Sequence, residues 1–125
     1  MRLYCLFFLL IAFGCTRTEM NDHLMCFQTV YLGERDDSKK QSNLAAATKE
    51  DLKVTYVDDL IIASKVVEVN ACGKYDGALE MRQDTIVLTY RLLTDELCDS
   101  QSFERFSYVI ANPDNKKFMI YLKHL

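Results

Sequence analysis

Two observations predict a mainly β domain: an antiparallel meander folded into a small sandwich or partly open barrel, with one short helix. Apolar and polar residues alternate through the C-terminal half of the chain, as they do in half-buried antiparallel strands. Turn-forming residues separate these runs at hairpin-like spacing.

The N-terminal element is different in kind. Residues 1–14 read as a secretory signal, with Arg2 as the charge, residues 6–13 as a continuous apolar run and Gly14 as a small exit residue. The run is too short to cross a bilayer, which needs about 20 residues. Residues 15–26 are expected to be a tether, since 16–25 are largely polar, and residues 27–125 a single β-rich domain. Within it, bulky residues alternate over 27–32, a candidate strand. Residues 33–42 hold six charged side chains, from Glu34 to Lys40, and almost nothing apolar, which reads as an exposed loop. Residues 44–52 are Ala-rich, and Thr48 with Asp51 resembles a capping pair, so the short helix is expected there.

From Val54 the pattern is β. Residues 60–69 are rich in Ile and Val. Tyr75, Gly77, Leu79 and Met81 share one face of the next strand, and Ile86, Leu88, Tyr90 and Leu92 one face of the strand after it. Gln83-Asp84 is a two-residue link between them, which sets Leu79 opposite Leu88. Phe106, Tyr108 and Ile110 line one face of a further strand, and Phe118, Ile120 and Leu122 one face of the last. Asn112-Pro113-Asp114-Asn115 is turn chemistry and is expected to join those two strands.

Removal of residues 1–14 leaves 111 of the 125 residues, enough for one domain with a modest core. Arg2 leaves with them, which takes the net charge from −3 to −4. An acidic chain lacks the basic footprint of a nucleic-acid binder, so no nucleic-acid partner is expected. Five cysteines are present. Cys5 leaves with the signal. Cys72 and Cys98 flank the predicted hairpin and are the natural pair, a bridge of a kind that stabilises by about 2–4 kcal/mol. Cys26 is then the odd cysteine, buried or a free thiol, with Cys26–Cys72 and Cys26–Cys98 as open alternatives. No Cys-x-x-Cys pair occurs, and His23 and His124 lie near opposite ends, so neither metal nor cofactor is expected.

Ala12-Phe13-Gly14-Cys15 resembles the end of a bacterial lipoprotein signal, where a small residue precedes the cysteine that is lipidated. Gly14 and Cys15 match. Ala12 stands where those signals most often carry Leu, and Phe13 is bulky for its place. The resemblance covers residues 1–15 and speaks to location. It implies a diacylglyceryl thioether and an acylated amine, palmitate among the acyl groups, on Cys15 as first mature residue. Several acyl chains on one residue suffice to hold a protein at a membrane, where one chain binds only marginally. Plain secretion after cleavage near Gly14 is the alternative.

Tyr56-Val57-Asp58-Asp59 resembles the catalytic hairpin of reverse transcriptases, in which adjacent carboxylates help bind a pair of magnesium ions. That fold needs a third carboxylate on a separate strand and far more chain than is present. Asp58-Asp59 therefore reads as a turn between two strands. No Gly-x-Ser-x-Gly elbow is present, and no catalytic residue is expected. Met119 and Tyr121 fall on the face of the last strand opposite Ile120, as a candidate contact patch. The expectation is an exported, lipid-anchored protein of the cell envelope with a non-catalytic binding or structural role. Its partners would be the membrane, through the anchor, and an envelope protein or ligand. A secreted module that blocks a partner enzyme is the second reading.

Overall fold

The computed structural model describes residues 22–35 and 39–125. Their elements are β1 (Leu24–Glu34), α1 (Lys39–Ala47), β2 (Lys53–Val57), β3 (Leu60–Asn70), β4 (Tyr75–Arg82), β5 (Thr85–Leu92), β6 (Gln101–Ala111) and β7 (Met119–His124). The strands form a four-stranded sheet ordered β1-β6-β3-β2 and a three-stranded sheet ordered β4-β5-β7. The mainly β sandwich with one short helix is as the pattern predicts. Cys15 and the signal-like residues 1–14 lie outside the described residues, and β1 begins at Leu24, inside the stretch expected to be tether.

The sandwich closes because each strand carries its apolar residues on one face. Phe106, Tyr108 and Ile110 of β6, Ile61 and Ala63 of β3 and Phe27 of β1 meet Leu79, Ile86 and Leu88 of the small sheet in one buried cluster. Burial of each large apolar side chain contributes roughly 1.5–3 kcal/mol. Phe27 is the central wedge. Its ring packs edge-on to Phe106 at 5.5 Å and tilted on Tyr108 at 4.9 Å. It also lies so close to Gly77 that a Cβ there would meet its Cδ2 at 2.2 Å. Strand β1 can thus approach β4 only at a residue without a side chain. On the opposite side, the Tyr56 hydroxyl of β2 accepts a bond from the Phe118 amide at 3.0 Å, just before β7.

Two hairpins pair as expected. β2 meets β3 through the Asp58-Asp59 turn, with Asp58 at φ 50°, and β4 meets β5 through Gln83-Asp84, with Gln83 at φ 52°. Leu79 is registered against Leu88.

The rest of the chain does not continue as a meander. β6 lies between β1 and β3, antiparallel to both, while β7 crosses to the other sheet and pairs parallel with β5. Parallel neighbours need a long crossover, and here β6 in the opposite sheet is part of it. The turn chemistry at residues 112–115 is real all the same. The buried Asn112 side chain accepts from the Lys116 amide at 3.1 Å and donates to the Lys116 carbonyl at 3.0 Å. It redirects the chain between sheets instead of joining paired strands.

The helix also falls earlier than expected. α1 ends at Ala47, so Thr48 closes the helix and does not start it. The Thr48 amide donates to the Leu44 carbonyl at 3.2 Å, and its hydroxyl to the Ala45 carbonyl at 2.7 Å. A Ser/Thr hydroxyl can satisfy carbonyls at a helix end as readily as amides at a start.

Glu104 is a polar exception on the core-facing side of β6, on the same face as Phe106 and within electrostatic reach of Tyr75. Burial raises its carboxyl above the ordinary 4.5. The folded chain therefore keeps this proton at a pH where the unfolded chain has lost it, and stability falls as pH rises through that window. Glu104→Gln is expected to raise the Tm at pH 7 and to flatten this part of the pH–stability curve. Thermal unfolding of both proteins across a pH series starting near 4.5 measures both.

Candidate functional site

The best-built corner of the molecule is the one crossed by the Cys72–Cys98 disulfide. β3 must leave the large sheet there to enter β4, and the chain from β5 returns there to begin β6. The two cysteines sit on these connections, 26 residues apart, with Cα atoms 5.7 Å from each other. Asn70, the last residue of β3, organises the corner. Its Oδ1 accepts from the Cys72 amide at 3.0 Å and the Cys98 amide at 3.2 Å, while its Nδ2 donates to the Cys98 carbonyl at 2.6 Å. Its own amide donates to the Tyr75 hydroxyl at 3.0 Å. Burial raises the Tyr75 hydroxyl, and the bond from Asn70 partly offsets this. The pair was legible from cysteine positions; Asn70 was not, because a strand-end asparagine between apolar runs reads as a plain turn residue.

Cys26 departs from expectation. It is neither a free thiol nor merely buried: it is disulfide-bonded, and it is not bridged to Cys72 or Cys98, which are bonded to each other.

Met119 and Tyr121 point away from the core. They are 58% and 51% exposed, while Ile120 and Leu122 between and beyond them pack on the core. They lie on β7, at the edge of the small sheet, registered against Thr85 and Val87 of β5. Charges surround them: Lys123 on the same strand, the Arg82–Glu80 ion pair at 2.8 Å and the Lys116–Asp84 pair at 2.6 Å. Arg82 holds the Glu80 carboxyl below its ordinary range, chiefly by hydrogen bonding. Charged residues beside an edge strand discourage open-ended strand pairing.

Two depressions meet at Lys65 and Asp51. One, of about 490 Å³, is walled by Ala47, Lys53, Val66 and Arg105; the other, of about 370 Å³, by Leu52, Ile120 and Leu122. The Lys65 ammonium donates to the carbonyls of Thr48 and Glu50. It ties down the chain that follows α1, so much of its hydrogen-bonding capacity is already committed.

Asp58 and Asp59 form a tight turn whose Asp59 carbonyl accepts from the Asn112 amide at 2.7 Å. Among the described residues, no three His, Cys, Asp or Glu side chains converge as a metal ion would require. His124 stacks on Tyr90 at 4.7 Å, a continuation of the aromatic row that includes Phe106. Tyr108 spans the core and donates to the Thr89 carbonyl at 2.8 Å, and burial raises its hydroxyl far above the ordinary value of 10.0. These tyrosines are structural: each links one sheet or strand to the next. Among the described residues, no helix is long and apolar enough to cross a membrane. No protein-family model, curated protein or solved structure matches the chain.

Proposed function

We propose that the chain is an exported module with a non-catalytic binding or structural role at the cell envelope. The observation that carries this reading is disulfide bonding. Cys72 and Cys98 are bridged and Cys26 is also bonded, a pattern that belongs to oxidising compartments outside the cytosol. The signal-like residues 1–14 point the same way. The exposed Met119 and Tyr121 on an edge strand are the surface we assign to a protein partner. Lipid on Cys15 would hold such a module at the membrane. The second reading is release as a secreted module that blocks a partner enzyme.

The test is fractionation of a host expressing the full chain, with the N-terminus sequenced and thiols counted. Export predicts protein outside the cytoplasm that starts beyond residue 14 and has Cys72 and Cys98 protected from alkylation. Cytoplasmic protein that begins at Met1 with both thiols reactive would overturn the reading.

A further inference from the structure

The small sheet ends at β7, whose second edge has no strand beside it among the described residues. On the edge toward β5, the Met119 amide donates to the Asp84 carbonyl at 2.8 Å and the Leu125 amide to the Tyr90 carbonyl at 3.1 Å. Successive residues of a strand aim their amides and carbonyls at opposite edges. Ile120, Leu122 and His124 therefore present theirs to the open edge. Phe118, just before the strand, does not: its amide and carbonyl are both bonded to the Tyr56 hydroxyl. The outward face of β7 carries Met119, Tyr121 and Leu125, each more than half exposed, with exposed Lys123 among them. We propose that β7 pairs antiparallel with β7 of a second copy of this chain, about a two-fold axis at Leu122, so that two small sheets become one sheet of six strands. The second copy is the partner for the surface assigned above to Met119 and Tyr121, and its identity rests on that assignment.

A centre at Leu122 sets Leu122 against Leu122 and Ile120 against His124, and so uses the open groups and no others. Centred on Ile120 or Tyr121, the pairing would oppose Phe118, whose groups Tyr56 already holds. Centred on Lys123, it would set that cation against its own copy, and like charges directly opposite are destabilising. About Leu122, Tyr121 of each copy lies opposite Lys123 of the other, in the non-hydrogen-bonded position where side chains come closest. An ammonium over an aromatic face is attracted to it. Met119 meets Leu125 in the same way, so the exposed apolar side chains of the strand cover one another. Beside the open edge, the depression of about 370 Å³ bordered by Leu52, Ile120 and Leu122 leaves room for the second Leu122. Each β7 is used once, so the pairing closes on itself and does not propagate from copy to copy. One strand pair falls below the roughly 1,200 Å² of a standard interface, so the dimer is weak, with Kd between about 1 μM and 1 mM.

Sedimentation equilibrium of the chain with its disulfides intact, over a concentration series, measures the dimer, and amide exchange at both ends of the series locates it. The amides of Ile120, Leu122 and His124 are expected to slow as the dimer fills, while those of Met119, Tyr121 and Lys123, which face β5, stay unchanged. Two substitutions at one exposed position then test the register. Tyr121→Lys sets a cation against Lys123 of the second copy and is expected to weaken the dimer about tenfold or more, whereas Tyr121→Glu forms an ion pair there and should keep Kd within about threefold of wild type. A monomer at about 1 mM overturns the inference but leaves Met119 and Tyr121 available to a different protein. So does a dimer that leaves the three open-edge amides exchanging as in the monomer. Equal weakening by both substitutions overturns the register centred on Leu122 while the surface assignment stands. A dimer that protects the three amides yet is indifferent to both substitutions overturns the inference and the assignment of Tyr121 to a partner together.

Discussion

Phe27→Ala is expected to remove about 3–5 kcal/mol of folding stability, the range for truncating a fully buried aromatic. Phe27 is 1% exposed and touches both sheets: Phe106 and Tyr108 from β6, and Gly77 from β4. Removing the ring leaves a cavity at the place where the sheet edges come together, and the surrounding strands are held in register by their ladders. Gly77→Ala attacks the same contact from the other side. Its new Cβ would sit 2.2–2.7 Å from three ring atoms of Phe27, and the ring is hemmed in by two aromatic neighbours. Overpacking of this kind costs about 1–3 kcal/mol and at times more. The two changes are therefore strongly non-additive: in a Phe27→Ala background, Gly77→Ala should cost far less than alone. Denaturant unfolding of the four proteins in the cycle measures this coupling. Simple additivity would show that the two sheets are not held apart by this contact.

Asn70→Ala is expected to cost about 2–3 kcal/mol with the disulfide intact, because two amides and one carbonyl lose their partner at once. Opening the bridge by a Cys72→Ser, Cys98→Ser double variant is expected to cost about 2–4 kcal/mol, mainly through the unfolded chain. The distinction lies in local order. Without Asn70, the corner loses the bonds that orient residues 72 and 98, and amide exchange at both positions should quicken even though the bridge remains. Asn70→Asp keeps the acceptor for both amides but no longer donates to the Cys98 carbonyl, so it should fall between wild type and Asn70→Ala. A change within about 0.5 kcal/mol for Asn70→Ala, the scale of an ordinary surface substitution, would sink the account of Asn70 as the organiser.

Hairpins were the most legible part of this chain. Gln83-Asp84 links two strands whose alternation runs without a break, and a two-residue link leaves one register, in which Leu79 meets Leu88. Asp58-Asp59 was legible as a turn for the same reason. Cys72 and Cys98 stood out as a pair because they bracket that hairpin. Thr48 misled because a hydroxyl beside a helix bonds amides at one end or carbonyls at the other, and composition alone does not say which. Gly77 was legible only as a member of the inward row of its strand, and Asn70 and Lys65 carried no signal in advance. Each matters through a group distant in sequence: the Cys98 backbone, the Phe27 ring and the carbonyls after α1.

Local pattern was sufficient to say where strands run and which face of each turns inward, because side-chain alternation is a property of one strand alone. It therefore yielded the mainly β class, the two hairpins and the inward rows of Tyr75, Tyr90 and Tyr108. Neighbour choice is a property of the assembled sheets. Both hydrogen-bonding edges of β6 are occupied, by β1 and β3, so β7 has no place beside the strand that precedes it. It crosses the sandwich and finds a free edge on β5, parallel, with Ile120 and Leu122 still facing the core. Alternation looks the same in a parallel and an antiparallel partner. Only competition among strands for edges, settled in three dimensions, separates the two.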